Sequence, residues 1–221
     1  MSAFVLVLAI AAAQPAAQSY RAHGTEPFWG VRIGGGRIVY TSSEGVRVAV
    51  RTPRRQPLRN GYRYVTPRLR IEITHVQCSD GMSDRLYADA FTISFPGTGP
   101  PLEGCGGAVL PPERLAGTDW SIVGIDRLSV SGPTYQLGFG EDGRLYGQAG
   151  CNRISGSYSE HGRVLTPGPL RTTRMACPGS GMDHERRVMA VLSGPAAMRY
   201  DPDGETLVLT GHGGTIRLRR Q

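Results

Sequence analysis

Seven arginines, Arg51, Arg54, Arg55, Arg59, Arg63, Arg68 and Arg70, fall within twenty residues that hold no acidic side chain, and Tyr62 and Tyr64 lie among them. Guanidinium groups bind phosphate and carboxylate bidentately and stack on aromatic rings. The stretch from Arg51 to Arg70 is therefore a candidate anion-binding loop for an anionic envelope polymer, lipid or membrane face. A solvated basic loop accounts for the same composition equally well. A second candidate is Glu185, which helical spacing places between Met182 and Met189 on a face expected to be buried. A buried carboxylate needs a partner, and Arg174 is the candidate, giving an internal structural ion pair. A catalytic role for Glu185 is the lesser alternative.

The remaining reactive residues point away from catalysis. Cys78, Cys105, Cys151 and Cys177 divide two and two between the halves of the chain, which favours one disulfide per half over the other pairings. Each bridge would close a loop of nearly thirty residues, a constraint of roughly 3 to 4 kcal/mol in the chain-entropy picture. His75 and Cys78 form an H-x-x-C pair to which Cys105 would add a third ligand, but zinc asks for four and oxidised cysteines do not serve. No G-x-S-x-G elbow or phosphate-cradling glycine loop occurs. Asn152 beside Cys151 is a turn residue before it is a ligand contact. Glu26 and Trp29 would line a groove only if Trp29 were not simply core. No catalytic residue, metal or cofactor is expected.

All 25 basic residues are arginine, the formal net charge is +7, and 31 glycines and 16 prolines accompany few aromatics. That composition suits short strands joined by tight turns and gives a surface that attracts anions. The first residues, Met1 to Ala13, are apolar and end in small side chains, the pattern of a secretory leader, so residues 1–17 are expected to be a signal peptide cleaved after Ala13 and a short linker. The run is too short to span a bilayer comfortably, so no transmembrane span is expected in the mature chain. Export to a periplasm, or secretion, suits the cysteines and leaves nucleic acid an unsuitable partner.

Alternation of apolar residues builds the rest. Phe28 to Ile33 and Arg37 to Tyr40 read as a hairpin; Leu69, Ile71 and Ile73, then Phe91, Ile93 and Phe95, read as further strands. Leu110-Pro111-Pro112-Glu113 looks like a linker. Beyond it, strands carrying Trp120, Leu137, Leu145, Met198, Leu207 and Ile216 surround one helix, Ser180 to Leu192. For that helix Ser180 is the expected N-cap with Asp183 three residues on, Met182, Met189 and Leu192 form the stripe, and Gly194-Pro195 is the stop.

Gly150-Cys151-Asn152, then Gly156 and Tyr158, then Thr172-Thr173-Arg174-Met175-Ala176-Cys177, then Glu185, resembles the META (HslJ-like) domain family, and Trp120 and Pro133-Thr134 match its opening. Leu137-Gly138-Phe139 departs from the family's uninterrupted apolar strand. The resemblance implies a β-barrel-like sheet with one helix, an association with heat shock or envelope stress, and no established chemistry. The first half, with Gly24 to Trp29 and Cys78 to Ser83, resembles an uncharacterised envelope domain that precedes META domains. The expected architecture is mainly β: two small antiparallel domains, all-β over 20–109 and META-type with one α-helix over 115–221, joined by a linker at 110–114. The expected function is a non-catalytic envelope accessory protein that binds an anionic envelope component or an envelope protein. A secreted inhibitor of a lytic enzyme or protease, presenting Cys78 to Asp84, and an envelope hydrolase using Glu26 or Glu185 are the rivals.

Overall fold

The computed structural model of the chain describes residues 19–221 apart from Pro178. The expected leader, with its cleavage point at Ala13, lies outside the described residues. The period-two patterns form strands in two sheets. The first holds β1 (Tyr20–Thr25), β2 (Phe28–Gly34), β3 (Arg37–Ser42), β4 (Arg47–Arg51), β5 (Gln56–Leu58), β6 (Gly61–Val65), β7 (Arg70–Thr74), β8 (Cys78–Ser79), β9 (Leu86–Ser94) and β10 (Leu102–Leu110). Its order is β4-β3-β2-β1-β10-β9-β7-β6-β5, with β8 on β9, and it curls into an open half-barrel.

Inward residues of β1 to β4 are apolar because the pleat sends alternate side chains to opposite faces. Trp29, Val31, Ile33, Ile38 and Tyr40 pack with Phe91 and Ile93. Trp29 fits because Gly24 opposite it has no side chain: a Cβ there would lie 2.3 Å from the indole nitrogen. Trp29 is thus core, not the lip of a groove. The stretch from Arg51 to Arg70, expected as a loop, is half strand. Tyr62 and Tyr64 alternate with Arg63 and sit opposite Ile73 and Ile71, so the tyrosines gain a buried face that a loop would deny them.

The second sheet holds β11 (Thr118–Ile125), β12 (Leu128–Ser129), β13 (Tyr135–Phe139), β14 (Arg144–Ala149), β15 (Asn152–His161), β16 (Val164–Pro167), β17 (Arg171–Thr172), β18 (Ala196–Tyr200), β19 (Thr206–Gly211) and β20 (Gly214–Arg220). Pairing of β11 with β20 closes eight of these strands into an antiparallel barrel, while β12 and β17 hang from β11 and β15. Closure removes the sheet edges. Trp120, Leu137, Phe139, Leu145, Leu207 and Leu218 fill the interior.

By compactness the chain forms two units, one of residues up to Thr74 with Phe91–Gly106, the other of His75–Ala90 with Gly107–Gln221. Within the second unit, Arg220 is buried and its Nη2 lies 2.6 Å from Asp84 Oδ2, while Arg85 Nε reaches Glu205 at 3.2 Å. Segment 75–90 is held by charge as well as by packing.

Helix α1 (Gly181–Val191) lies between β17 and β18. Two expectations about it are corrected. Ser180 occupies the N-cap position but its side chain makes no capping hydrogen bond, and Asp183 pairs with Arg186 and Arg187 instead. Met182 is 49% exposed, because the buried stripe is phased on Gly181, Glu185, Val188 and Leu192, and a step of about 100° per residue turns Met182 outward.

Tyr200, at the end of β18, has a buried hydroxyl with no hydrogen-bond partner among the described residues. Burial, then the nearby Glu160 carboxylate, pushes it up to about 12. A tyrosine that holds its proton more firmly when folded contributes stability that is present below pH 10 and lost as pH rises towards 12. Tyr200→Phe should therefore leave urea stability at pH 7 unchanged or slightly raised. It should also reduce the alkaline loss between pH 10 and 12 by on the order of 2 kcal/mol; parallel alkaline curves for the two proteins would refute this.

Candidate functional site

The residues around the Cys151–Cys177 disulfide form a closed polar cluster. Gly150, with φ +79, turns β14 into β15 and lets the start of α1 approach so closely that a Cβ on Gly150 would lie 2.7 Å from the Gly181 carbonyl oxygen. Asn152, buried at the start of β15, uses its whole hydrogen-bonding capacity. Its Nδ2 donates to Glu185 Oε2 at 2.7 Å and to the Met175 carbonyl at 3.0 Å. Its Oδ1 accepts from Thr173 Oγ1 and from the Met175 amide, both at 2.8 Å. One side-chain amide thus pairs with both backbone groups of Met175 and ties the disulfide loop to the helix.

This geometry corrects the expected ion pair. Glu185 is buried, but Arg174 is exposed and no ion pair joins the two among the described residues. Arg174 stands between Thr173 and Met175, both bonded to Asn152, and is turned to solvent. A neutral amide satisfies the carboxylate without a second charge being desolvated. Asn152 is an internal clamp, with no free donor or acceptor for a ligand. The disulfide itself spans 26 residues with Cα atoms 5.5 Å apart. Cys78 and Cys105 are also disulfide-bonded, and no free cysteine remains. His75 Nδ1 lies 2.8 Å from Asp89 Oδ1, and no metal-ligating cluster occurs among the described residues.

The seven clustered arginines divide. Arg55 donates from Nε to Tyr64 Oη at 2.8 Å and stacks on Tyr62, with its guanidinium carbon 4.5 Å from the ring centroid. Arg63 donates to Gln56 Oε1 at 2.9 Å, and Arg70 pairs with Glu72. These three are engaged within the fold. Arg51, Arg54, Arg59 and Arg68 are exposed, with no side-chain partner among the described residues.

Arg51 belongs to a larger array that spacing along the chain conceals. On the outward face of β1 to β4, Arg21 stands opposite Arg32, and Arg37 opposite Arg51, in direct cross-strand register. The next rung aligns His23, Gly30, Thr41 and Arg47. Val39, Ala49 and Gly30 leave a low floor between the cations, and a depression of about 570 Å³ is lined by Arg21, His23, Arg32, Thr41 and Arg47. None of the outward positions of these strands is acidic, and Phe28, 55% exposed, stands at one end. Like charges directly opposite one another destabilise a sheet, yet two such pairs occur with no carboxylate between them. This basic face is the candidate site. Its only sequence signal is arginine at alternate strand positions, which acquires meaning once the register is known.

The META domain family profile matches residues 113–221. The C-terminal half of the chain is a META domain. An NMR structure of a protein is 23% identical over 50% of this chain and 94% of its own, with TM-score 0.43; an NMR structure of a protein from Burkholderia xenovorans is 24% identical over 48% and 83%, with TM-score 0.39. No curated protein matches the chain. The residues that carry the META resemblance have physical roles in the barrel. Gly150 gives the close approach, Cys151 the bridge and Asn152 the clamp, while Tyr158 packs edge-on against Phe139 and donates to the Gly140 carbonyl at 3.1 Å. Gly138, the departure from the family pattern, leaves room for the Tyr146 ring.

If Asn152 and Glu185 hold the META domain together, Asn152→Ala should cost about 2 to 4 kcal/mol of unfolding free energy by leaving a buried carboxylate without its donor. Glu185→Gln keeps an accepting oxygen and should cost about 1 kcal/mol or less. Urea unfolding of both variants checks this; equal losses would mean that the charge of Glu185, not its acceptor, is what the fold needs.

Proposed function

We propose that the protein is a non-catalytic, exported accessory protein of the cell envelope that binds an anionic envelope component through the outward face of β1 to β4. The observation that carries this reading is the alignment of Arg21 with Arg32 and of Arg37 with Arg51, without a neutralising acid. Such repulsion is relieved when an anion bridges the pairs, and charge-assisted bidentate bonds reward phosphate or carboxylate in that position. Arg47, and Arg54, Arg59 and Arg68 from the neighbouring stretch, extend the positive field, and exposed Phe28 supplies an apolar edge suited to an interface with lipid.

Export is supported by the apolar leader-like start of the sequence and by the oxidised cysteines, since disulfides persist in oxidising compartments. None of the described helices is long and apolar enough to cross a membrane. The META domain supports a place in envelope stress responses. A binding role accords with Asn152, whose donors and acceptor are all taken up within the fold.

Co-sedimentation with vesicles containing phosphatidylglycerol at low salt tests the face. A triple variant, Arg21→Gln, Arg32→Gln and Arg47→Gln, should bind about 100-fold more weakly, at about 1 kcal/mol per surface arginine. Its thermal stability should not fall, since like-charge pairs are being removed. Undiminished binding by the triple variant would exclude this face as the site.

A further inference from the structure

The META barrel carries a second polar groove on its outer wall, formed where β17 extends the sheet beyond β15. Two rungs line it. Gln136, Gln148 and Arg153 stand side by side across β13, β14 and β15. Asp119, Gly138, Tyr146, Ser155 and Arg171 follow one another on the next rung from β11 to β17. The cavity measures about 470 Å³, and Thr172 and Thr173 close one side. Tyr146 leans over Gly138, where a Cβ would meet its ring at 2.3 Å, and its hydroxyl donates to Asp119 Oδ1 at 2.9 Å. The ring is therefore held in place yet 46% exposed. Arg153 and Arg171 are exposed and have no ion-pair partner among the described residues.

We infer that this groove binds a short acidic oligosaccharide, with a sugar ring on Tyr146 and a ring carboxylate between Arg153 and Arg171. A fixed, exposed aromatic offers the apolar face of a sugar ring a contact at little entropic cost. The carboxamides of Gln136 and Gln148 and the hydroxyl of Ser155 offer both donors and acceptors, which suits sugar hydroxyls. Asp119, at the tyrosine end, accepts from a hydroxyl, and two guanidiniums at the other end select a carboxylate. The groove lies wholly within the META unit and is independent of the basic face of β1 to β4.

The test is calorimetric titration of the full chain with tetragalacturonate and with neutral maltotetraose, alongside amide chemical-shift mapping. Binding of the acidic sugar only, with shifts on β13, β14, β15 and β17, is expected. Tyr146→Ala, and the pair Arg153→Gln with Arg171→Gln, should each weaken it about 10- to 100-fold, the range for a hydrogen bond to a charged group. Tyr146→Phe, which keeps the ring, should stay within a few-fold of the original, and all variants should keep the parent's unfolding midpoint to within a few degrees. The triple variant of Arg21, Arg32 and Arg47 should bind the sugar as the parent does, which separates this site from the basic face. The inference is overturned if neither sugar binds, if both bind equally, if the arginine pair is dispensable, or if only the triple variant loses binding.

Discussion

Fixed register in pleated antiparallel sheets is the constraint on which everything else in this molecule rests. Because successive side chains point to opposite faces, a strand that commits Val31 and Ile33 to the core commits Arg32 to the outside. A slip of one residue would bury the arginines and expose the core, at a cost no small sheet can bear. The basic face and the barrel groove are thus geometric consequences of how the two cores pack. In the barrel the constraint is tighter, since pairing of β11 with β20 leaves no edge along which the register could shift.

Within that frame the META barrel solves a local difficulty with a neutral group. Glu185 faces inward because α1 is phased on Gly181, the residue that approaches Gly150. An arginine partner would have required burying a second charge, whereas Asn152 supplies a proton to the carboxylate and uses its remaining capacity on Met175 and Thr173. The same side chain therefore anchors the helix and the disulfide loop, which explains physically why the resemblance to the family is densest at Gly150-Cys151-Asn152 and around Cys177.

Strand positions were legible because Leu69, Ile71 and Ile73, or Phe91, Ile93 and Phe95, alternate cleanly, and the helix was legible from its length and its Gly194-Pro195 stop, although Ser180 makes no capping bond and Met182 faces outward. Burial of Glu185 could also be read, but its partner could not. Helical spacing says which face turns inward, whereas the choice between Arg174 and Asn152 depends on which of two extended segments passes beside that face. In the run from Arg51 to Arg70, density along the chain and position in the fold diverge. Density along the chain drew attention to seven arginines, of which Arg55, Arg63 and Arg70 are engaged with Tyr64, Gln56 and Glu72. Arg21, Arg32, Arg37 and Arg47 form no dense run in the sequence and converge only across β1 to β4.

The distribution of satisfied and unsatisfied charge bears on what kind of partner suits this chain. Three buried charged groups are matched internally, Glu185 by Asn152, Asp89 by His75, and Arg220 through one guanidinium nitrogen by Asp84, whereas the buried Tyr200 hydroxyl is not. At the surface, the outward arginines Arg21, Arg32, Arg37 and Arg51 have no side-chain partner among the described residues, and they stand on strands whose backbones lie about 5 Å apart. Cations carried on neighbouring strands in open water gain little from one isolated small anion, whose hydration they must replace. They gain far more from a polymer or surface that presents several anions at once, where each contact raises the effective concentration of the next. The proposed binding of an extended anionic ligand rests on that physical preference more than on the net charge.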